Sequence, residues 1–151
     1  MRLPARFYKA LLASLFGWIA GLFAALPFQI VEAIRVTGPD THLLVTELGL
    51  TLALWVALTF ALALYWCGFF LFPIAWIVSA GWILRHRGLW ISAGAAFGVA
   101  LIAVRGHVWT AFDHDGVSLI TFWMWAVFST TFFLVTSILY ARFLPDLQAA
   151  V

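Results

Sequence analysis

The chain has 151 residues, of which 66% are hydrophobic and only 9% are charged, and its mean hydropathy is +1.09. A soluble domain of this length carries about 45–50% apolar and about 25% charged residues. Polar groups are too few to cover a water-exposed surface, which excludes a soluble globular domain and makes lipid part of the solvent. The formal net charge of +2 comes from scattered basic residues, which argues against a nucleic-acid partner.

The first apolar segment runs from residue 10 to about residue 30 and follows the basic residues Arg2, Arg6 and Lys9. It is longer than the apolar core of a signal peptide, which has roughly 7–15 residues. The segment is therefore predicted to be a membrane span. The three basic residues in front of it suit an anchor beside anionic lipid headgroups.

Residues 43–84 are harder to divide, because Glu47 is their only residue among Asp, Glu, Lys, Arg and His. One straight helix of that length would measure roughly 63 Å, about twice the hydrocarbon core of a bilayer. Two interpretations remain open. The segment forms two helices with a tight turn near Gly68, or it crosses once as a long helix that is kinked near Gly68 and Pro73.

Two further spans are predicted at 89–104 and 117–141. Lys and Arg residues in short loops set the cytoplasmic side. If 43–84 crosses once, six of the eight basic residues lie on the side of the N-terminus, and if it crosses twice the count is four to four. We therefore predict one all-α, multi-pass membrane domain over 1–151 with four transmembrane helices, five being possible. The N-terminus would be cytoplasmic and the membrane a bacterial inner membrane.

Chemistry at bilayer depth is not indicated. Asp, Glu, Lys, Arg and His are absent from 10–31, 49–84, 89–104 and 117–141, whereas ion-coupled transporters, proton relays and voltage sensors place such groups inside the membrane. A haem held by two histidines is disfavoured as well, because all four histidines lie at or outside the span ends. Motifs of esterases, zinc proteases and phosphate-binding loops are missing. The sequence predicts a protein that is not an enzyme and has no cofactor.

The most polar stretch, residues 105–117, contains His107, Asp113, His114 and Asp115, which are side chains that zinc could use as ligands. Their spacing matches no metal motif, and two histidines seven residues apart on a helix are about 10 Å apart. A short polar loop in which Asp115 caps the next helix explains the same residues. We therefore expect a loop leaving the membrane here rather than a metal site.

Two other polar features lie at predicted span ends. Glu47 could contact an ion or substrate at a cavity mouth and pair with Arg35, or it could be an interfacial carboxylate favoured by the helix macrodipole. The basic loop of Arg85, His86 and Arg87 could bind a lipid phosphate or an acidic partner, or it could be an ordinary cytoplasmic loop. The simpler explanation is preferred for both features.

Two GxxxG patterns, Gly17 with Gly21 and Gly94 with Gly98, predict close helix packing, because small residues four apart let helix backbones approach in lipid. They favour the principal hypothesis for function. The chain would be a small non-enzymatic membrane protein that associates with itself or with another membrane protein, as a homo-oligomer or an accessory subunit. Membrane lipid would be its other partner.

The alternative hypothesis is a small transporter or channel for an apolar or amphipathic molecule. Tryptophans near span ends suit anchors at the lipid headgroups, and these are Trp18, Trp66, Trp82, Trp90 and Trp109. The deeper ones could line a cavity, although facing lipid or packing between helices is the more common role of such residues: Trp55, Trp76, Trp123 and Trp125. A second alternative is a membrane-embedded enzyme that uses Glu47, Asp113 and His114.

Overall fold

The computed structural model describes residues 3–38, 41–112 and 119–144, and every element in these ranges is a helix, which confirms the predicted all-α class. The elements are α1 (Leu3–Thr37), α2 (Thr41–Trp66), a π-helical segment (Cys67–Leu71), α3 (Phe72–Ile77), α4 (Ala80–Arg85), α5 (Arg87–Phe112) and α6 (Leu119–Phe143).

Three stretches of helix are long and apolar enough to cross a membrane, namely Ala5–Thr37, Val45–Ile77 and Ile120–Phe143. A shorter apolar helix covers Arg87–Ala103. Spans of this length and composition are those of an integral membrane protein, because about 20 apolar residues suffice to cross the hydrocarbon core as a helix.

The segment that the sequence leaves ambiguous is a single rod. Helix α2 passes through the π segment into α3 with helical backbone angles at Trp66, Leu71 and Phe72. The N–H of Phe72 donates to the carbonyl of Cys67, five residues back, directly before Pro73. Proline has no N–H and its ring clashes with the carbonyl four residues earlier, and the wider π turn relieves that conflict.

The rod over residues 41–77 is about 55 Å long, so one long helix occupies most of the ambiguous segment instead of two helices with a turn near Gly68. This helical segment ends at Val78, whose backbone is extended (φ −85°, ψ 126°). Ser79 then starts the short helix α4, where its hydroxyl oxygen accepts a hydrogen bond of 3.2 Å from the N–H of Trp82.

Helix α1 packs antiparallel against α6 through its two glycines. A Cβ atom at Gly17 would lie 2.8 Å from the carbonyl oxygen of Phe132, and one at Gly21 would lie 2.9 Å from the ring of Phe128. The absence of side chains at both positions is what lets the two backbones approach this closely. Helices α1 and α6 consequently form the centre of the bundle.

Helix α5 uses the second pair of glycines on a neighbouring face of α6. A Cβ atom at Gly94 would lie 2.9 Å from the Cβ of Ser137, and one at Gly98 would lie 3.0 Å from the carbonyl oxygen of Ser129. Both GxxxG patterns are therefore covered by α6 of the same chain. Helices α1, α2–α3, α5 and α6 alternate in direction, and the start of α1 lies at the same end of the bundle as the end of α6.

Two basic residues of α1 hold the carbonyl ends of other helices at this end of the bundle. Arg6, which is buried, donates from Nη2 to the carbonyl of Val78 (2.7 Å), directly after α3. Lys9 donates from Nζ to the carbonyl of Phe143 (2.8 Å), the last residue of α6. Cations are favourable at helix C-termini, where carbonyl groups lack partners. These side chains, which the sequence suggested as headgroup anchors, also join three helices.

Replacing Arg6 by methionine is expected to lower the free energy of unfolding by about 2 kcal/mol, because a charge-assisted hydrogen bond is lost and the carbonyl of Val78 is left unpaired. The measurement is equilibrium unfolding of the purified protein in mixed micelles. Arg142→Met is the matched control, since Arg142 is an exposed cation at the same end and its loss should cost less than about 0.5 kcal/mol. Equal losses in the two variants would contradict this role for Arg6.

Candidate functional site

A partly enclosed cavity of about 230 Å³ lies between the π segment and α5. Helices α6 and α1 also contribute to its lining, through Thr136 and Ser14 respectively. The cavity is larger than an apolar cavity of about 150 Å³ that holds benzene. It is therefore large enough for a small organic molecule.

Six of the fourteen residues that line the cavity are aromatic. They come from the π segment and its flank, from α5 and from α6: Trp66, Phe70, Trp90, Phe97, Phe132 and Phe133. The ring centroid of Phe97 lies 5.5 Å from those of Trp66 and Phe70 and 5.0 Å from that of Phe133. Contacts at these distances and tilts are favourable for aromatic pairs, and they join α5 to the π segment at one side of the cavity.

Trp90 is held in place by a hydrogen bond. Its Nε1 donates to the carbonyl of Ser137 (3.0 Å), and its ring centroid lies 5.9 Å from that of Tyr140. A tryptophan that is fixed at both its polar and its apolar part gives a cavity a defined wall, because little side-chain freedom remains to be lost on binding.

A few neutral polar groups interrupt the apolar lining. Ser14, Cys67, Thr136 and Ser137 contribute them, and none of the described residues that line the cavity carries a charge. Ser14 and Thr136 are only 4% and 5% exposed. The Thr136 hydroxyl has no hydrogen-bond partner in the described part of the protein, and the Ser14 hydroxyl faces the weakly hydrogen-bonding thiol of Cys67. An apolar pocket with a small number of placed polar groups is the usual form of a small-molecule site.

The four deeper tryptophans do not line this cavity. Trp55 is buried in the core at 6% exposure and Trp125 packs against it, whereas Trp76 and Trp123 face outward at 68% and 51%. Packing and facing outward are the roles that the sequence favoured for them. The cavity is lined instead by Trp66 and Trp90, which the sequence placed at the membrane interface. Two sequence features next to the cavity could have indicated its place. The small residues of α5 let another helix approach closely, and Pro73 after the π segment disturbs the regular helix.

The proposed pairing of Glu47 with Arg35 is not what the structure shows. Arg35 instead donates to both carboxylate oxygens of Glu32, at 2.6 and 2.9 Å, within α1. Residues three apart on a helix are neighbours, so the helix itself brings these two side chains together. Glu47 is exposed on α2, and the two residues do not form a polar site together.

The basic residues at the junction of α4 and α5 are all exposed, and these are Arg85, His86 and Arg87. The Nδ1 atom of His86 lies 3.1 Å from the carbonyl of Trp82, and the two rings have centroids 4.9 Å apart. The positions of Arg85 and Arg87 fit an exposed loop at a membrane surface, and their binding of lipid phosphate stays a prediction.

The weak metal candidates cannot be placed. Asp113, His114 and Asp115 lie outside the described residues, as does the side chain of His107 in α5. In the described ranges no group of three or more His, Cys, Asp or Glu side chains could hold a metal ion.

Comparisons of the chain with models of protein families, with curated proteins and with solved structures give no match.

Proposed function

We propose that the protein binds a small apolar or amphipathic molecule in the cavity beside the π segment, as a small membrane transporter or channel would. The observation that carries the proposal is the cavity itself, with its volume, its aromatic wall and its few neutral polar groups. The local geometry supports it further, because π-helical turns inside α-helices occur frequently at functional sites. The cavity is only partly enclosed, which suits a ligand that enters from the lipid.

The four glycines of the GxxxG patterns give weaker support to the association hypothesis than the sequence suggested. Gly17, Gly21, Gly94 and Gly98 all face α6 of the same chain, so a partner would have to use another surface. Association with itself or with another membrane protein stays a prediction, as does a membrane-embedded enzyme.

The proposal includes a membrane topology of four crossings with both chain ends in the cytoplasm of a bacterium. Its support is the distribution of charge. Five described cations lie at the end of the bundle that holds the start of α1: Arg6, Lys9, Arg85, Arg87 and Arg142. Glu32 and Glu47 belong to the segments near the opposite end. Basic residues in short loops and at chain ends face the cytoplasm.

Reporter fusions test this topology. We expect a fluorescent protein that matures only in the cytoplasm to be bright when it is fused to either chain end. A cysteine introduced at exposed His42, which lies at the opposite end of the rod, should react with an impermeant maleimide in intact cells. Dark terminal fusions without labelling at position 42 would reverse the orientation, and one bright and one dark fusion would require an odd number of crossings.

Filling the cavity tests the binding proposal. Ala93 lines the cavity and is exposed, so a larger side chain there meets open space rather than α6. Ala93→Phe is expected to abolish saturable binding of 1-fluoronaphthalene, measured by ¹⁹F NMR on the protein in lipid nanodiscs. Ala96→Phe is the matched control, since Ala96 is exposed on the same helix and does not line the cavity. Equal saturable binding in wild type and Ala93→Phe would refute the site.

A further inference from the structure

Two buried hydroxyl groups in the cavity lining lack a strong hydrogen-bond partner. Thr136 Oγ1 forms no hydrogen bond within the described part of the protein. The neighbour of Ser14 Oγ is the thiol of Cys67, which is only a weak donor and acceptor. A buried hydroxyl without a partner costs free energy, because the hydrogen bonds it made to water are lost and not replaced. Native proteins rarely leave such groups unpaired unless a water, an ion or a ligand completes them.

The other threonine hydroxyls with described hydrogen bonds show the usual solution to this problem. Thr37, Thr46 and Thr59 each donate to the carbonyl four residues earlier in the same helix, at 2.7 to 3.0 Å. That bond is open to a threonine within a helix. Thr136 lies inside α6 and does not make it. Its hydroxyl oxygen is shielded against Gly17, so a molecule in the cavity would reach it when the side chain rotates.

The position of the Thr136 hydroxyl depends on a glycine in the facing helix. Thr136 Oγ1 lies against Gly17, at the place where a Cβ atom would otherwise be. Ser14 is three residues before Gly17 on α1, and it too lines the cavity. Close approach of α1 and α6 therefore brings two hydroxyls into one lining, which neither helix could provide alone.

We propose that the cavity selects a neutral amphiphile, with a ring-sized apolar body among the aromatic side chains and one hydroxyl or carbonyl group hydrogen-bonded to Ser14 and Thr136. This inference rests on the proposed function and adds the chemical class of the ligand. The aromatic wall supplies apolar contact, and the two hydroxyls supply the polar contact that fixes the orientation of the ligand.

The same lining disfavours a charged headgroup. An ionised carboxylate loses its hydration on entry, and this loss is compensated only by a cation or by several hydrogen bonds. No charged residue lies among the described residues that line the cavity. A fatty acid or an organic cation should therefore bind less well than a neutral analogue of the same shape.

Three fluorinated probes with one ring system separate these possibilities: fluoronaphthalene, fluoronaphthol and ionised fluoronaphthoate. Their affinities for the wild-type protein in nanodiscs are measured by ¹⁹F NMR, with Ala93→Phe nanodiscs as the reference for partition into lipid. We expect the naphthol to bind about tenfold more tightly than the naphthalene, which is the effect of one hydrogen bond that replaces an unpaired buried group. The naphthoate should bind most weakly.

Two conservative variants then identify the hydroxyls. Thr136→Val keeps the shape of the side chain and Ser14→Ala removes a single atom, so in both variants the advantage of the naphthol should fall to less than about threefold. Affinity for the naphthalene should stay unchanged, which shows that the cavity is intact. Ser92→Ala is the matched control, because Ser92 is exposed on α5 and does not line the cavity.

Each outcome bears on a different statement. Equal affinities for naphthol and naphthalene, both lost in Ala93→Phe, would overturn the neutral-amphiphile inference and leave the proposed function standing. Tightest binding of the naphthoate would overturn it as well. Absence of saturable binding for all three probes would refute the proposed function. If Thr136→Val fails to fold, the smaller change Ser14→Ala still decides the question.

Discussion

Gly17→Leu is expected to prevent stable folding of the bundle, with a loss in the free energy of unfolding of about 3 kcal/mol or more, which is the upper range for overpacked positions. The added side chain would start 2.8 Å from the carbonyl oxygen of Phe132 and 3.2 Å from the backbone nitrogen of Thr136. Backbone atoms cannot rotate away as a side chain can. Helices α1 and α6 would have to separate, and their contact is the centre of the bundle.

Gly49→Leu is the matched control for this prediction. A Cβ atom at Gly49 meets nothing within 4 Å, and the glycine lies inside α2. Leucine has a higher helix propensity than glycine, so this variant should be unchanged or more stable by up to about 1 kcal/mol. Equilibrium unfolding in mixed micelles gives both values. Equal stabilities of the two variants would contradict the packing of α1 on α6.

The same pair of variants also bears on association. If Gly17 lay in a surface between copies of the chain, Gly17→Leu would change the oligomeric state and leave the stability of the monomer unchanged. If it packs against α6, the stability of the monomer falls whatever the oligomeric state. Size-exclusion chromatography with light scattering, carried out beside the unfolding measurement, separates the two cases.

Trp55→Ala is expected to cost about 3–5 kcal/mol of stability, the range for removing a large aromatic side chain from a core. The Trp55 ring centroid lies 5.1 Å from that of Phe128 and 5.5 Å from that of Trp125. Removing it would leave a large void where α2 meets α1 and α6, next to Ala25. Its Nε1 has no hydrogen-bond partner among the described residues, so Trp55→Phe should be much less damaging.

Trp123→Ala is the control for this second prediction, because Trp123 is half-exposed on α6. Its loss should change the free energy of unfolding by less than about 0.5 kcal/mol. Both tryptophans lie deep in apolar runs, so hydropathy alone treats them alike. A similar loss of stability in the two variants would show that the described packing of α2 is wrong.

Several features of this protein follow from short stretches of sequence. The ion pair of Glu32 with Arg35 depends on two residues three apart on a helix. The end of α1 depends on Gly38, which adopts φ +65° and whose N–H donates to the carbonyl of Ile34, the conformation that glycine allows at a helix C-terminus. The π turn before Pro73 has an equally local cause.

The cavity has no such local cause. Its lining comes from four separate segments of the chain, and which residues meet there depends on how the helices are rotated about their axes. In these apolar helices hydrophobic residues surround the whole circumference, since lipid is as acceptable to them as a protein neighbour. No periodic pattern then marks the buried face. The sequence pattern therefore does not distinguish Trp66 and Trp90, which line the cavity, from Trp76 and Trp123, which do not.

The amino-acid sequence by itself determined that the protein is helical, that its helices are apolar enough to cross a membrane, and that four glycines provide close packing surfaces. These properties depend on composition, segment length and residue spacing. Only the tertiary structure decided that α6 covers both glycine pairs, that residues 41–77 form one rod, and that Ser14 and Thr136 share a cavity. Such pairings depend on van der Waals fit between helices, which in lipid leaves no hydrophobic signature in the sequence.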